Sequence, residues 1–406
     1  MIYRQRRIGF VTTSFPRYAG DFSGNFVFHM AEALAKQGFQ IDVIVPAAAP
    51  STTPKGARLV DNCRDWLRVF PIQYMYPGSL QKVCFGQGAP ENLSRSPLTA
   101  LLIPALVHQM WRRIEQLAGQ WDGVVSHWLL PSALIAPRIP GSTIPHLAIA
   151  HSGDIHLLRR LPAKSLIAAT VAKRCRHINF VSRQLRSEFI HCLPGHLQTH
   201  TQNKTSVAPM GVLPNTCVLT RHAAREKLNW RRFTVLYMGR LSPIKGVAYL
   251  IAGMEHCEGQ LVIAGGGELR PVLEQQAKQL NIDVQFMGSV SRETRDLLFT
   301  AADALVVPSI QLPNGRHEGA PTVILEAMQA KLPVIATHTG GIPEYIRHHS
   351  TGLLVPEKNP RQIAKAINMI KENPDLRQRL VDSAASMAAQ RGWDVVINNF
   401  TRMLFE

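Results

Sequence analysis

Short apolar runs alternate with stretches of helical spacing along the whole chain. Arg7 to Thr12 reads as a strand, and the polar loop SFPRYAGDFSGN follows it. Val27, Met30, Ala31 and Leu34 then recur at helical spacing until Gly38 closes the helix. Phe39 to Val45 is the next strand, which completes a βαβ unit and implies a parallel sheet. Further strand-like runs lie near Val124–Ser126, Leu147–Ala150 and Ile178–Val181, whereas Ala48 to Ser96 has no clear period and reads as loop. The second half repeats the alternation more cleanly. Its strands read at Phe233–Tyr237, Gln260–Ala264, Val284–Met287, Ala304–Val307, Val334–Ala336 and Gly352–Leu354. The fold class is therefore α/β, with two Rossmann-like doubly wound domains and a boundary near Pro214 to Thr220. Ligands of such sheets bind at the carboxyl ends of the strands, so a cleft between the domains is the expected site.

The run HEGAPTVILEAM, His317 to Met328, carries the most specific chemistry. Gly319 permits a tight turn, and Pro321 suits the first position of a helix that continues through Thr322. Glu318 stays in the loop before that helix. Glu326 lies roughly 7.5 Å further along its axis. Backbone N–H groups near Ala320, Thr322 and Val323 point out of the helix start, where anions bind well. Two carboxylates flanking a diphosphate cradle suit a sugar nucleotide, whose hydroxyls lie on either side of its diphosphate. Taken alone, the two residues could equally be a loop glutamate and a solvated helix glutamate.

The flanking runs decide between these. VLYMGRLSPIKG, Val235 to Gly246, reads as a strand followed by a loop with Arg240 and Lys245. PVIATHTGGIPEYI, Pro333 to Ile346, reads as a buried strand, a double-Gly turn and a helix opened by Pro343. GLLVPEKNP, Gly352 to Pro360, is a short strand and a loop. With the glutamate pair, these resemble the family-four retaining glycosyltransferases of the GT-B fold, and NGRHEGAPTVILEA resembles their bacterial exopolysaccharide, colanic-acid-type branch. The resemblance is dense from Phe233 to Pro360 and thinner upstream.

It implies an acceptor domain over 1–215, a nucleotide-sugar donor domain over 216–392, and a last helix, 393–406, crossing back to the first. It also implies a UDP- or GDP-sugar as co-substrate, a saccharide or lipid-linked acceptor, and no further cofactor. Arg240 and Lys245 would meet the departing diphosphate, Arg with two bonds and Lys as a point charge. Glu326 would accept from ribose hydroxyls, and Glu318 would contact the transferred sugar. Gly239, Gly319, Ala320, Pro321 and Thr322 would line the donor site, with the base near Val290. Gly24 would let a substrate approach the first loop, unless it marks a plain turn. His151 opens HSGD after the strand LAIA, and the family places this histidine beside the sugar. Ser152 stands where Gly is usual, which bears on Asp154. His127, in SHWLLPS, matches a position near the acceptor. Lys331 replaces a helix-ending Gly. Rival readings on the same fold are a nucleotide-sugar hydrolase or epimerase and a non-catalytic scaffold.

Bulk properties narrow the partners. The chain has 406 residues and 46% hydrophobic content, enough for two cores. Its six cysteines show no metal spacing, and reduced thiols in a cytosolic compartment are expected. No Asp-x-Asp occurs, so no metal-diphosphate motif is present and no metal is expected. The apolar stretch Leu98 to Met110 is too short to span a bilayer. The formal net charge is +17, of which +13 falls on Met1 to Asn215. Arg159, Arg160, Lys164, Lys173, Arg174, Arg176, Arg183 and Arg186 concentrate it. Such a surface suits an anionic membrane or nucleic acid. The resemblance favours the membrane, with peripheral docking on the inner leaflet and no nucleic acid; the oligomeric state is left open.

Overall fold

The computed structural model describes residues 5–18, 21–48, 64–84, 88–89, 92–93, 96–136 and 144–406. The chain forms two compact units, Met1–Gly211 with Trp393–Glu406, and Val212–Gly392.

In the first unit, seven strands among the described residues are all parallel: β1 Arg7–Val11, β2 Gln40–Pro46, β3 Leu67–Ile72, β4 Gly123–His127, β5 His146–Ala150, β6 His177–Phe180 and β7 Thr205–Val207. Their order is β3-β2-β1-β4-β5-β6-β7. The order reverses between β1 and β4, so the loops leaving those two strands diverge. β4 and β5 are buried along their full length, as a sheet covered on both faces requires. Val27, Met30, Ala31 and Leu34 are the buried face of the helix Asn25–Lys36, as their spacing predicts.

A buried carboxylate ties this sheet together. Asp42 on β2 accepts from Arg7 Nη1 at 2.7 Å, Arg68 Nε and Nη2 at 2.7 and 2.6 Å, and Trp121 Nε1 at 2.9 Å. It thus joins β1, β2, β3 and the residues before β4. Such a charge survives burial only because it is fully paired. The helix Trp393–Phe405 packs on the helix Asn25–Lys36, where Gln37 Nε2 donates to Asn398 Oδ1 at 2.6 Å and the Phe39 and Phe405 rings stack 5.6 Å apart.

The second unit holds β8 Thr234–Met238, β9 Gln260–Ala264, β10 Val284–Gly288, β11 Ala304–Val307, β12 Val334–Thr337 and β13 Leu353–Val355. They are parallel, in the order β10-β9-β8-β11-β12-β13, and the reversal lies between β8 and β11. Alternate residues feed two cores. Leu236, Val262, Leu305 and Val334 enter one, while Val235, Leu261, Val306 and Ile335 enter the other. The period of two with apolar residues on both faces explains why these strands read as continuous apolar runs.

Three readings need correction. β3 lies inside the stretch expected to be loop, part of which is outside the described residues. Pro71 interrupts its pattern, and Pro is tolerated there because β3 is an edge strand. β7, of three residues, is too short to show a period. Pro343 opens only a single turn of 3-10 helix, Ile342–Glu344. Arg347 N–H donates to Thr351 Oγ1 instead of continuing the helix, and the chain turns back into β13.

Lys331 ends the helix Thr322–Gln329 region with φ 55, the left-handed conformation that an L side chain resists. Lys331→Gly should therefore stabilise the second unit by on the order of 1 kcal/mol. A thermal melt that rises by a few degrees meets the expectation; an unchanged or lower midpoint contradicts it.

Candidate functional site

The second unit gathers its charged residues where the strand order reverses. The loop leaving β8 is pinned at three points. Gly239 N–H donates to Ala264 O at 3.0 Å, Leu241 N–H to Gly266 O at 2.8 Å, and Tyr237 Oη to Arg240 O at 2.9 Å. Arg240 is exposed on this fixed backbone, and Lys245 ends the turn Pro243–Lys245. The loop leaving β11 supplies Glu318. Its Oε1 lies 2.8 Å from Lys245 Nζ, with side chains 13% and 20% exposed. Glu318 is also held by its backbone. Its carbonyl accepts from Gly341 N–H at 3.1 Å and from His317 Nδ1 at 2.9 Å, so that imidazole carries its proton on Nδ1. Gly340 has φ 55, and a Cβ there would stand 2.1 Å from the Glu318 carbonyl oxygen. The double-Gly turn after β12 is therefore a seat for Glu318, which the sequence reading left without a purpose.

Pro321 precedes the helix Thr322–Gln329 by one residue, where the reading had placed it inside. Ile324 N–H already bonds Pro321 O at 3.1 Å. The N–H groups of Thr322 and Val323 are the ones with no carbonyl ahead of them in the helix. Gly319 and Pro321 are buried, and Ala320 packs against the apolar core. Glu326 is half-buried on this helix, and Arg295 Nη1 stands 3.4 Å from its Oε1. Val290 packs its side chain against the core, so what remains for a ligand near the end of β10 is backbone.

In the first unit the corresponding reversal assembles a different surface. Gly24, with φ 72, starts the helix Asn25–Lys36, and a Cβ there would meet the Ser14 carbonyl oxygen at 2.4 Å. His127 ends β4 and His151 follows β5. Their Nδ1 and Nε2 are 3.4 Å apart, and the rings lie 5.7 Å apart at 17°. Phe26 and Trp128 close around His151, with ring centroids at 4.9 and 5.0 Å. Burial drives the His127 imidazole well below its ordinary value and His151 down to about 3. Both are uncharged at neutral pH, and in the contact between them one ring donates its N–H to the lone pair of the other.

Asp154 faces inward. It accepts from Leu129 N–H at 2.6 Å and His151 N–H at 2.9 Å, which ties the turn after β4 to the turn after β5. Burial pushes its carboxyl up to about 7 against the pull of those donors. Its observed work is to position the two histidine loops, and Ser152 takes the first helical position without opening this cap.

Among the described residues no group of His, Cys, Asp and Glu could hold a metal ion, and no helix is long and apolar enough to cross a membrane. Several basic residues of the first unit have internal partners: Arg159 pairs with Glu188 at 3.2 Å, Arg174 donates to Leu134 O, and Arg186 bonds Thr205 and Gln202.

Known proteins bear on this geometry. Residues 220–387 match the family described as glycosyl transferases group 1, and residues 23–212 match Glycosyltransferase Family 4. An uncharacterised glycosyltransferase of Methanocaldococcus jannaschii is 35% identical over 184 residues, 42% of this chain and 46% of the relative. The alpha-D-kanosaminyltransferase of Streptomyces kanamyceticus is 32% identical, and the match takes in 39% of this chain and 41% of the relative. The chain thus spans less than half the length of these two relatives. A GDP-mannose-dependent phosphatidylinositol monomannoside mannosyltransferase of Mycobacterium tuberculosis is 27% identical over 76% of this chain and 82% of the relative. Among solved structures, sucrose-phosphate synthase from Thermosynechococcus elongatus aligns over 98% of both chains with a TM-score of 0.76 and 20% identity. HepE of Anabaena in complex with UDP-glucose aligns over 98% of both chains with a TM-score of 0.70, also at 20% identity. The chain belongs to the GT-B glycosyltransferases of the family-four type.

The buried histidines fix the sign of an acid effect. His146, whose Nε2 meets Ser126 Oγ at 2.8 Å, is also driven down to about 3 by burial. Below about pH 6.5 the unfolded chain takes up protons that these folded rings refuse. The stability they contribute is present above that pH and is lost as pH falls towards 3. Asp154 runs the other way, losing its contribution as pH rises towards 7. Melting curves from pH 7 to 4.5 should fall less steeply for His146→Gln and for His151→Gln than for the parent. Parallel curves would contradict the burial of neutral rings.

Proposed function

We propose that this family-four glycosyltransferase moves a hexose, with retention at the anomeric carbon, from a UDP- or GDP-sugar to a saccharide or lipid-linked saccharide in cell-surface polysaccharide synthesis. The observation that carries the reading is the Lys245–Glu318 pair at 2.8 Å, set where β8 and β11 diverge and beside the start of the helix Thr322–Gln329. A cation, a carboxylate and open backbone N–H groups in one place match the parts of a sugar diphosphate. The solved HepE complex with UDP-glucose and the GDP-mannose-dependent relative support a nucleotide-sugar donor.

In this reading the donor exchanges the resting ion pair for its own contacts. The Lys245 ammonium, the Arg240 guanidinium and the N–H groups of Thr322 and Val323 take the diphosphate, so no metal is assigned to it. The Glu318 carboxylate takes hydroxyls of the hexose, and Glu326 takes those of the ribose. The bond from the anomeric carbon to the phosphate oxygen breaks while the acceptor oxygen bonds the same face. The acceptor's proton passes to the departing phosphate. Positive charge waiting where negative charge develops is the main source of acceleration.

Calorimetric titration with UDP, GDP and ADP tests the donor. At least one should bind more tightly than millimolar, and Lys245→Ala should weaken it roughly tenfold or more. Failure of all three sinks the reading. Nucleotide release without any acceptor, as fast as with one, would favour a hydrolase.

A lipid-linked acceptor calls for a membrane-facing surface. Arg160 and Lys164 are exposed at the turn between the helices Ser152–Arg160 and Lys164–Arg174, with Leu166 71% exposed beside them. This combination supports peripheral docking on anionic lipid. Vesicles rich in phosphatidylserine should sediment the protein at low salt and release it at high salt. Equal sedimentation with neutral vesicles rejects the electrostatic form of docking.

A further inference from the structure

Arg295 has no role in the reading above, yet its guanidinium stands between a buried acid and the ribose-side carboxylate. Its Nε and Nη2 hold Asp296 Oδ1 at 3.2 and 3.0 Å, and its Nη1 faces Glu326 Oε1 at 3.4 Å. Asp296 is itself fixed. It is 1% exposed, and its other oxygen accepts from Thr216 N–H at 3.0 Å and Thr216 Oγ1 at 2.7 Å. Asn215 Nδ2 adds bonds to the Asp296 carbonyl and to Thr300 Oγ1, both at 3.2 Å. The first residues of the second unit, the helix Arg292–Ala301 and the helix Thr322–Gln329 are therefore joined through Asp296 and the Arg295 guanidinium.

We propose that Arg295 is a positioning residue that aims Glu326 at the ribose hydroxyls of the donor. The proposal rests on the assignment of Glu326 to the ribose. The physics is that of a planar fork. Two of its N–H groups are locked on Asp296, so the third direction is fixed without further loss of side-chain freedom. A carboxylate on a helix surface otherwise samples several rotamers, and ordering it on binding would weaken the complex. Arg295, 18% exposed like Glu326, restricts that freedom before the ligand arrives. Lysine at this position would keep the charge and lose the fork.

The test uses the full chain with UDP and GDP, each beside its 2′,3′-dideoxy form. For whichever base binds, the parent should prefer the ribose form. Arg295→Ala should weaken that form roughly fivefold to thirtyfold while changing the dideoxy form little. Arg295→Lys should fall between. In the double variant with Glu326→Ala, removing Arg295 should cost nothing further. Thermal midpoints of Arg295→Ala and Arg295→Met check that the fold is intact. Equal weakening of both nucleotide forms by Arg295→Ala would overturn the proposal, since it would mean a direct phosphate contact or a general loss of structure. Loss of ribose preference in Glu326→Ala but not in Arg295→Ala would overturn it and leave the Glu326 assignment standing. An unchanged preference in Glu326→Ala, or no binding of either base, would remove the assignment and the proposal together.

Discussion

The constraint on which the rest depends is the single reversal of strand order in each parallel sheet. Between β8 and β11, and again between β1 and β4, two neighbouring strands send their chains to opposite sides. No helix crosses over that point, so the carboxyl ends of those strands stay uncovered by their own connections. The candidate site residues of each unit collect there for that reason. Lys245, Glu318 and the start of the helix Thr322–Gln329 surround one reversal, and Gly24, His127 and His151 surround the other.

Burial separates the structural carboxylates from those of the candidate site. Asp42 is 0% exposed and holds four donor bonds, and Asp296 and Asp303 are likewise buried against arginines. Breaking such a buried pair costs about 3–5 kcal/mol, so these acids are fixed parts of the sheets and helices. The Lys245–Glu318 and Arg295–Glu326 pairs keep some exposure, and pairs of that kind contribute roughly 0–1 kcal/mol. A ligand that exchanges partners with Lys245 and Glu318 would therefore meet little resistance. The same comparison explains why Asp154, although in a family motif, is better understood as holding loops in place: its oxygens already serve backbone N–H groups inside the protein.

The sheets were legible because their strands are apolar on both faces, and a continuous apolar run needs no period to be noticed. β3 and β7 were not, since one carries Pro71 at an edge and the other has three residues. In the candidate site, Glu318 and Glu326 stood out because Gly319 and Pro321 lie between them, and Lys245 because it shares a loop after a strand with Arg240. Arg295 and Asp296 did not. An Arg–Asp neighbour pair on a polar helix is ordinary in sequence, and its meaning comes from Thr216 and Glu326, which are 80 and 31 residues from the groups they meet. Gly340 was visible as half of a double glycine, but its reason, the Glu318 carbonyl at 2.1 Å from a built Cβ, exists only in three dimensions.

The two reversals differ in kind, and the difference follows from desolvation. In the first unit the rings of Phe26 and Trp128 crowd His151, and the burial they cause makes a protonated imidazole costly. In the second unit Lys245 and Glu318 keep partial contact with solvent and with each other. An uncharged, aromatic-lined surface suits a hexose, whose hydroxyls need acceptors and whose ring faces are apolar. A charged surface beside a helix start suits a diphosphate. Exchanging the two environments would put a cation where it could not stay charged and a neutral ring where it could not hold an anion. The difference between the two reversals thus follows how much water each admits.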